Sequence, residues 1–172
     1  HNLIDTEAIR QKALLPAEKS MHEGIRLLTV GRLTPQKGFD CAVYALKLLL
    51  EKQYPVYWYI IGEGPEYGRL TQLARSLHVE DHFIFLGMQT NPYPYFKMAD
   101  FYIHATRFEG KSIAIQEAQV LGCAIAASDC SGNREQIVSG VDGLLCPFSP
   151  EGIANAVEYL ICLLYTSPSP RD

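Results

Sequence analysis

The sequence of 172 residues lacks the features that would assign it to several common classes of protein. It has no excess of basic residues, since 15 Lys and Arg stand against 19 Asp and Glu, and the net charge of −4 argues against nucleic-acid binding. It has no apolar run of the roughly 18 to 20 residues that cross a bilayer. It also has no basic segment followed by an apolar one of the kind that directs secretion. These absences favour a globular, cytoplasmic domain.

Cysteine is present, but without the spacing of a functional cluster. The five cysteines are Cys41, Cys123, Cys130, Cys146 and Cys162. They form no Cys-x-x-Cys pair, and His22, His78 and His82 also lack ligand-like spacing. We therefore expect no metal site and no disulfide framework, but free, buried thiols in a reducing compartment.

The two ends of the chain differ in character from its middle. The sequence starts at His1 without a Met, so we expect that the natural start lies upstream. The helical pattern of 151–161 runs without a cap into 162–172, which resembles the translation of a sequencing adapter. We expect a non-native tail there, with a natural Ser/Pro-rich tail as the alternative. The tail carries one Arg and one Asp, so leaving it out keeps the net charge at −4.

Apolar runs of strand length alternate with helical patterns along the middle of the chain. Strands are predicted at 25–30, 56–61, 83–86, 101–104, 123–127 and 144–145. Helices are predicted at 39–52, 66–77, 112–121, 132–138 and 151–161. Strict alternation implies right-handed β-α-β units, and hence an α/β fold with a Rossmann-like parallel sheet covered by helices on both faces.

Four polar or glycine-rich loops follow strands of this predicted sheet. They cover 31–38, 62–65, 86–88 and 107–112. The carboxyl ends of parallel strands meet at one edge of a sheet, which is where open α/β sheets bind ligands. The sequence therefore predicts a binding site built from these loops.

The first loop suits an anion. Arg32 and Lys37 lie between a strand end and a helix start, where unpaired N–H groups and the helix dipole add positive potential. Arg grips a diphosphate bidentately, and Lys binds it as a point charge. The loop is not a Walker A sequence, because Lys37 precedes Gly38 and no Ser or Thr follows. Taken alone, the two charges fit a solvated surface loop at least as well.

Gly62 and Gly64 follow the second strand, where a Gly-x-Gly pair is often turn geometry. Tyr67 stands where a dinucleotide fingerprint needs its third glycine, so that motif is excluded.

Glu109 and Glu117 form the strongest constellation. Glu117 lies one to two turns into the helix that follows the Glu109 loop, roughly 7–8 Å along the axis from Ser112. This spacing suits two sets of sugar hydroxyls flanking a phosphate, which the amides of Lys111 and Ser112 could meet. Ser112 is predicted to be the helix N-cap and not a nucleophile. The plain alternative is one loop Glu and one surface Glu, and His104 is expected to be a hydrogen-bonded structural residue.

These motifs occur in an order that resembles a known family. The order is Val30-Gly-Arg-x-x-x-x-Lys-Gly-Phe-Asp40, Gly62-x-Gly-Pro65, Phe85-Leu-Gly87, Ala99-Asp100, Glu109-Gly, Glu117-Ala118, Gly122 and Gly143-Leu144. It is similar to the donor-binding, carboxy-terminal domain of retaining, nucleotide-sugar-dependent glycosyltransferases with the GT-B fold. The match covers 23–161, and 1–22 looks like the interdomain linker and lead-in. The segments 91–95 and 111–117 look like a branch found in bacterial cell-surface polysaccharide gene sets.

The resemblance implies a role for each matching residue. Arg32 and Lys37 would bind the donor diphosphate and stabilise the departing nucleoside diphosphate. Glu109 would hold hydroxyls of the transferred sugar, and Glu117, the second acid of the family's Glu-x7-Glu pattern, would bind the ribose. The other donor-binding positions that it implies are Gly31, Gly62, Gly64, Gly87, Met88, Gly110, Lys111 and Ser112. Gly87 and Met88 would border the base, and the amides of 110–112 would lie near the phosphate.

The implied activity is that of a hexosyltransferase, which moves a sugar with retained configuration to a polysaccharide or lipid-linked acceptor. The resemblance also implies no tightly held metal or cofactor. It implies that a missing amino-terminal domain binds the acceptor, and it allows the whole enzyme to associate peripherally with a membrane. This fragment would be inactive alone. Lys111 departs from the aromatic, Gly or Ser that is frequent there, and would either contact phosphate or point to solvent. The alternatives are a non-catalytic sugar-nucleotide-binding module and a GT-B-like sugar-nucleotide epimerase.

Overall fold

The computed structural model describes residues 4–166, and its elements follow the predicted alternation. The strands are β1 (Ile25–Val30), β2 (Val56–Ile61), β3 (Phe83–Gly87), β4 (Phe101–His104), β5 (Ala124–Ser128) and β6 (Leu144–Cys146). The helices are α1 (Thr6–Ala13), α2 (Phe39–Glu51), α3 (Tyr67–Ser76), α4 (Tyr93–Met98), α5 (Ile113–Val120), α6 (Ser131–Gln136) and α7 (Pro150–Thr166). A 3-10 turn, Pro35–Lys37, precedes α2.

The six strands of the described part form one parallel sheet in the order β3-β2-β1-β4-β5-β6. The chain runs outward from β1 to β3, crosses back to β4 on the other side of β1, and continues outward to β6. The loops after β1 and β4 therefore diverge and leave a crevice at the carboxyl ends of the strands, where such sheets bind ligands. The predicted fold class, an α/β fold with a Rossmann-like parallel sheet, is confirmed.

Both faces of the sheet are buried, because alternate residues of a strand point to opposite sides. Leu27 of β1 and Trp58 of β2 face a core that α2, α3 and α7 close. Leu28 of β1 and Tyr102 of β4 face a second core that α4 and α5 close. Burial on both sides explains why the strands appear in the sequence as continuous apolar runs without polar alternation.

Two helices of the structure, α1 and α4, were not predicted. Asp5 caps α1 by accepting a hydrogen bond of 3.0 Å from the amide of Ala8, and Ile9 is buried on the helix. The helix lies in the predicted linker and packs against α4. The sequence of α4, which begins directly after Pro92, is only six residues long and has no helical periodicity to detect.

The other predicted boundaries agree with the structure to within two residues, with one exception. Helix α7 continues past the predicted end at 161 to Thr166, into the segment that resembles a translated adapter. The remainder of that segment, 167–172, lies outside the described residues. No helix within 4–166 is long and apolar enough to span a membrane.

Candidate functional site

The strongest polar cluster of the rim joins the loops after β1 and β4, on the two sides of the crevice. The side chains of Lys37 and Glu109 meet there, with 2.8 Å between Lys37 Nζ and Glu109 Oε2. The same carboxylate oxygen lies 2.9 Å from Nε2 of His104, at the end of β4. The structure thus brings together two residues that the sequence placed in separate loops, and adds the histidine as a third.

His104 is held from both sides. Its side chain is 2% exposed, and its Nδ1 lies 3.2 Å from the hydroxyl of Tyr102. Since a carboxylate can only accept, Nε2 carries the proton towards Glu109, and Nδ1 faces the tyrosine hydroxyl, which donates to the carbonyl of Val30 at 3.2 Å. Tyr102 and His104 share a face of β4 because they are two residues apart. The expectation of a hydrogen-bonded structural histidine agrees with these contacts.

The cluster also sets the charges of its members. Burial raises the pKa of the Glu109 carboxyl, but the hydrogen bonds from His104 and Lys37 outweigh it, so the pKa lies below its ordinary value. Burial lowers the pKa of His104, and the hydrogen bond to Glu109 offsets only part of this effect. At neutral pH the site therefore holds an ionised Glu109 beside a neutral imidazole.

An ion pair that was not predicted from the sequence holds the loops after β1 and β4 together. Arg107 binds Asp40 through two hydrogen bonds of 3.0 and 2.9 Å, and its guanidinium also donates to the carbonyl of Pro35 at 2.6 Å. Its backbone N–H donates to the carbonyl of Gln36 at 2.9 Å. The guanidinium lies 5.1 Å from the centre of the Phe148 ring. Because the contacts span both loops, they hold the turn before Lys37 against the loop that carries Glu109.

Glu117 lies on α5 and is not free in this structure. The hydroxyl of Tyr93 at the start of α4 donates a hydrogen bond to Glu117 Oε2. Burial and this hydrogen bond together raise the pKa of Tyr93 to about 12, so the phenol stays protonated at neutral pH. Burial raises the pKa of Tyr102, and the negative charges of Glu117 and Glu109 raise it further.

Ser112 departs from one of its expected roles. As predicted, its hydroxyl caps α5 by accepting from the amide of Ile115 at 3.1 Å. Its own amide, expected to face a phosphate, instead donates to Oε1 of Gln136 at 2.7 Å, and Nε2 of Gln136 donates back to the carbonyl of Ser112 at 2.8 Å. This amide is therefore already satisfied. Gly110 and Lys111 are exposed beside it, and their amides make no hydrogen bond within 4–166.

The glycines at the rim allow the loops after β1 and β2 to approach closely. A Cβ on Gly62 would stand 1.9 Å from the carbonyl oxygen of Gly31, and one on Gly64 would stand 2.5 Å from that of Leu33. The amide of Gly62 also donates to the carbonyl of Gly87 at 3.0 Å. These contacts give Gly62 and Gly64, which were both assigned to donor binding, a structural reason of their own.

Two cavities open on either side of this glycine contact. One, of about 410 Å³, is lined by Gly31, Arg32, Gly62 and Met88 among others, and so gathers four of the predicted donor-binding residues. The other, of about 400 Å³, is lined by Gly62, Gly64, Tyr67, Phe85 and Gly87 among others. The Lys37 side chain lies over Gly31, where a Cβ would stand 3.7 Å from its Cδ, but Lys37, Glu109 and Glu117 are not among the residues that line these two cavities.

The segment 132–135 has a structural role in this fold. A Cβ on Gly132 would stand 2.0 Å from the carbonyl oxygen of Glu109, so α6 supports the Glu109 loop at close range. Asn133 is fully buried and donates to the carbonyl of Ser128 at 2.8 Å. Within 4–166 no group of three or more His, Cys, Asp or Glu side chains is placed to hold a metal ion.

The arrangement is suited to a ligand that carries both negative charge and hydroxyl groups. Arg32 supplies a positive charge at the first cavity and Lys37 supplies one beside Glu109, while Glu109 and Glu117 supply oxygens that accept from hydroxyls. A nucleotide sugar combines these features, since its diphosphate lies between two groups of sugar hydroxyls.

Known proteins are similar to this chain over most of its length. The family model described as "Glycosyl transferases group 1" matches residues 10–163. The chain is 34% identical over 146 residues to the N-acetylgalactosamine-N,N'-diacetylbacillosaminyl-diphospho-undecaprenol 4-alpha-N-acetylgalactosaminyltransferase of Campylobacter jejuni. That alignment covers 84% of this chain and 38% of the relative.

Solved structures share the fold. The chain superposes on a glycosyltransferase from Rickettsia africae with a TM-score of 0.75 at 22% identity, over 95% of this chain and 43% of that one. It superposes on Anabaena HepE in complex with UDP with a TM-score of 0.73 at 23% identity, over 92% of this chain and 43% of that one. In each of these comparisons the chain spans about two fifths of the other protein.

Proposed function

The chain belongs to the glycosyl transferases group 1 family, and from this we propose that it is the donor-binding, carboxy-terminal half of a retaining glycosyltransferase. The family match confirms the resemblance predicted from the order of the motifs. The proposal goes further, in assigning a nucleoside-diphosphate sugar to the crevice between the loops after β1 and β4.

One observation carries this assignment: Lys37 and Glu109, which lie 72 positions apart in the sequence, meet at the point where the strand order reverses. A cation for the diphosphate and a carboxylate for the sugar then lie side by side. Lys37 has three N–H donors, so it can contact a phosphate oxygen without releasing Glu109. UDP in the crystal structure of HepE, which has the same fold, supports a nucleoside diphosphate as ligand.

The chemistry follows from these charges. As the bond between sugar and phosphate breaks, negative charge grows on the departing diphosphate, and preplaced cations stabilise it more than they stabilise the substrate. Arg32 and Lys37 supply those cations. Glu109, held ionised by His104 and Lys37, accepts hydrogen bonds from the sugar hydroxyls, and Glu117 accepts from the ribose. No step of this scheme requires a cofactor.

The acceptor lies beyond the described residues in this proposal. A separate amino-terminal domain would bind a polysaccharide or lipid-linked acceptor. The name of the Campylobacter relative includes a sugar linked to diphospho-undecaprenol, which supports the lipid-linked choice. The whole enzyme would then meet a membrane surface through that domain. The five cysteines are free, but only Cys41 and Cys146 are buried as predicted, since Cys123 and Cys130 are half-buried and Cys162 is exposed. A cytoplasmic compartment remains part of the proposal.

Thermal unfolding with added nucleotides tests the donor site. UDP, GDP and ADP are each added at millimolar concentration, and one of them should raise the melting temperature by mass action. At about ten times its Kd, a ligand adds about 1.4 kcal/mol, which corresponds to a shift of about 3–6 °C for a chain of this size. Arg32→Ala and Lys37→Ala should each remove most of the shift, because each deletes a cation at the diphosphate.

Lys47→Ala is the matched control for these variants. Lys47 lies on α2, where it pairs with Glu51 at 3.7 Å, away from the crevice. This variant should keep the full nucleotide-induced shift. The proposal is wrong for this chain if none of the three nucleotides shifts the unfolding transition, or if the control loses the shift as completely as the Lys37 variant.

A further inference from the structure

Tyr93 is not among the predicted site residues, but its hydroxyl contacts Glu117. Tyr93 occupies Oε2 of the Glu117 carboxylate, while Oε1 has no hydrogen-bond partner within 4–166. We propose that Tyr93 is a positioning residue of the nucleotide subsite, which turns Glu117 so that its second oxygen accepts from the ribose hydroxyls. This inference rests on the proposed donor-binding function.

The backbone around Tyr93 holds its phenol in place. Pro92 and Pro94 stand on both sides and fix the φ angles at the start of α4. The amide of Tyr93 donates to Oδ1 of Asn91 at 3.3 Å, and the side chain of Asn91 donates to the carbonyl of Lys12 at 2.9 Å. The short helix is thus tied to the last turn of α1. A hydroxyl on so constrained a backbone can direct a carboxylate.

The ring of Tyr93 also packs into the core below the site. Its centroid lies 6.2 Å from that of Phe96, which stacks on Tyr102 at 5.4 Å, and Tyr102 in turn stacks on His104 at 5.9 Å. His104 donates to Glu109, so this aromatic series ends in one hydrogen-bond donor to each carboxylate. Tyr93 therefore holds the Glu117 carboxylate by a hydrogen bond, as His104 holds that of Glu109.

A carboxylate that is already oriented should bind a ligand more tightly than one that is free to rotate. A glutamate side chain on an open helix face loses rotamer freedom when it binds a ligand, and a partner that already fixes its conformation reduces that loss. The hydrogen bond from Tyr93 leaves the charge of Glu117 intact, because the phenol remains the donor. Removing the hydroxyl should therefore weaken the contact to the ribose without touching the contacts to the diphosphate.

Isothermal titration of the chain with UDP and with 2′-deoxy-UDP separates these contacts. We expect the wild-type chain to bind UDP about tenfold more tightly than the deoxy analogue, since the analogue lacks a hydroxyl that a carboxylate accepts from. In Tyr93→Phe this preference should fall to about threefold or less, mainly through weaker binding of UDP. Glu117→Gln should lose the preference as well. If GDP or ADP is the nucleotide that stabilises the chain, that nucleotide and its 2′-deoxy analogue are compared instead of UDP and 2′-deoxy-UDP.

Tyr95→Phe is the matched control. It removes a hydroxyl from the same short helix, but Tyr95 contacts the amide of Lys19 and the side chain of Gln89, and not Glu117. Its preference should equal that of the wild type. Because the readout is a ratio of two constants from one preparation, a partly unfolded variant does not distort it.

The outcomes distinguish the inference from the function beneath it. If Tyr93→Phe keeps the full preference while Glu117→Gln loses it, Tyr93 has no positioning role and the donor site stands. If Tyr95→Phe loses the preference as fully as Tyr93→Phe, the loss comes from a general disturbance of α4 and not from the contact to Glu117, and the inference is again wrong. If Glu117→Gln also keeps the preference, or no nucleotide binds at all, the ribose role of Glu117 fails and the inference fails with it.

Discussion

Individual side chains of the site are held in place by neighbours that are buried or half-buried. Glu109 receives hydrogen bonds from a half-buried Lys37 and a buried His104, and Glu117 receives one from Tyr93. Carboxylates in such settings keep their charge and their orientation before a ligand arrives. Preorganisation of this kind is what electrostatic stabilisation requires, because groups that must reorient on binding contribute less.

The neutral state of His104 predicts how stability depends on pH. In the folded chain burial keeps the pKa of His104 below its ordinary value of about 6.5, which the unfolded chain regains. The unfolded state therefore binds more protons as the pH falls below about 6.5, so the free energy of unfolding decreases. His104→Gln keeps an N–H donor but does not titrate, and should lose less stability between pH 7 and 5.5, by up to about 1 kcal/mol.

Urea unfolding at the two pH values measures this difference. Glu109 does not interfere, because its folded pKa is lowered and the stability linked to it is lost only below about pH 4.5. The control is His78→Asn, since His78 is exposed with φ of 60°, a conformation that Asn tolerates. Equal slopes for the wild type and His104→Gln would contradict a buried neutral imidazole.

At the scale of elements, the loops at the rim are held together by backbone contacts. Gly31 donates to the carbonyl of Ile61 at 3.0 Å, and Leu33 donates to that of Glu63 at 2.9 Å. These bonds continue the pairing of β1 with β2 beyond the strands. As a result, the first cavity has a wall made of backbone, with Arg32 projecting from it.

Gly62→Ala tests this close packing. Gly62 has φ of 146°, and its added Cβ would stand 1.9 Å from the carbonyl oxygen of Gly31, so backbone must move. We expect the free energy of unfolding to drop by at least about 2 kcal/mol. Gly68→Ala on α3 is the control, because a Cβ there meets nothing within 4 Å. It should raise the free energy of unfolding by about 0.5–1 kcal/mol. Similar denaturation midpoints for the two variants would refute this account of the rim.

The elements also show what a sequence pattern can and cannot predict. Long apolar runs such as 25–30 and 56–61 predicted their strands, because burial on both faces leaves a signal within the segment itself. The meeting of Lys37 and Glu109 could be expected, since both follow parallel strands. Tyr93 and Gln136 could not be assigned, because their partners are set by how α4 and α6 pack.

The whole molecule is one sheet with two cores, and its crevice is open on one side. The described residues bury both faces of the sheet, while exposed apolar side chains remain on the rim, at Met88, Phe108 and Ile113. In the proposed enzyme this rim faces the acceptor domain. A donor site that opens onto solvent can bind its nucleotide without completing the reaction.

From this we expect the isolated chain to bind the donor without transferring its sugar. Incubation with radiolabelled UDP-sugars and a bacterial lipid extract should give no labelled lipid, while nucleotide binding to the same preparation remains measurable. A chain extended by its upstream coding sequence is the positive counterpart and should form product. Transfer by the 172-residue chain itself would show that this half of the enzyme is sufficient.

The sequence by itself determined the fold class and the side of the sheet on which the site lies, because apolar periodicity and strand alternation are local properties. It also determined the family, through the order of its motifs. Only the tertiary structure decided which partners the site residues have: His104 and Lys37 for Glu109, and Tyr93 for Glu117. Those partners come from distant segments, and their distances depend on how the helices pack over a finished sheet.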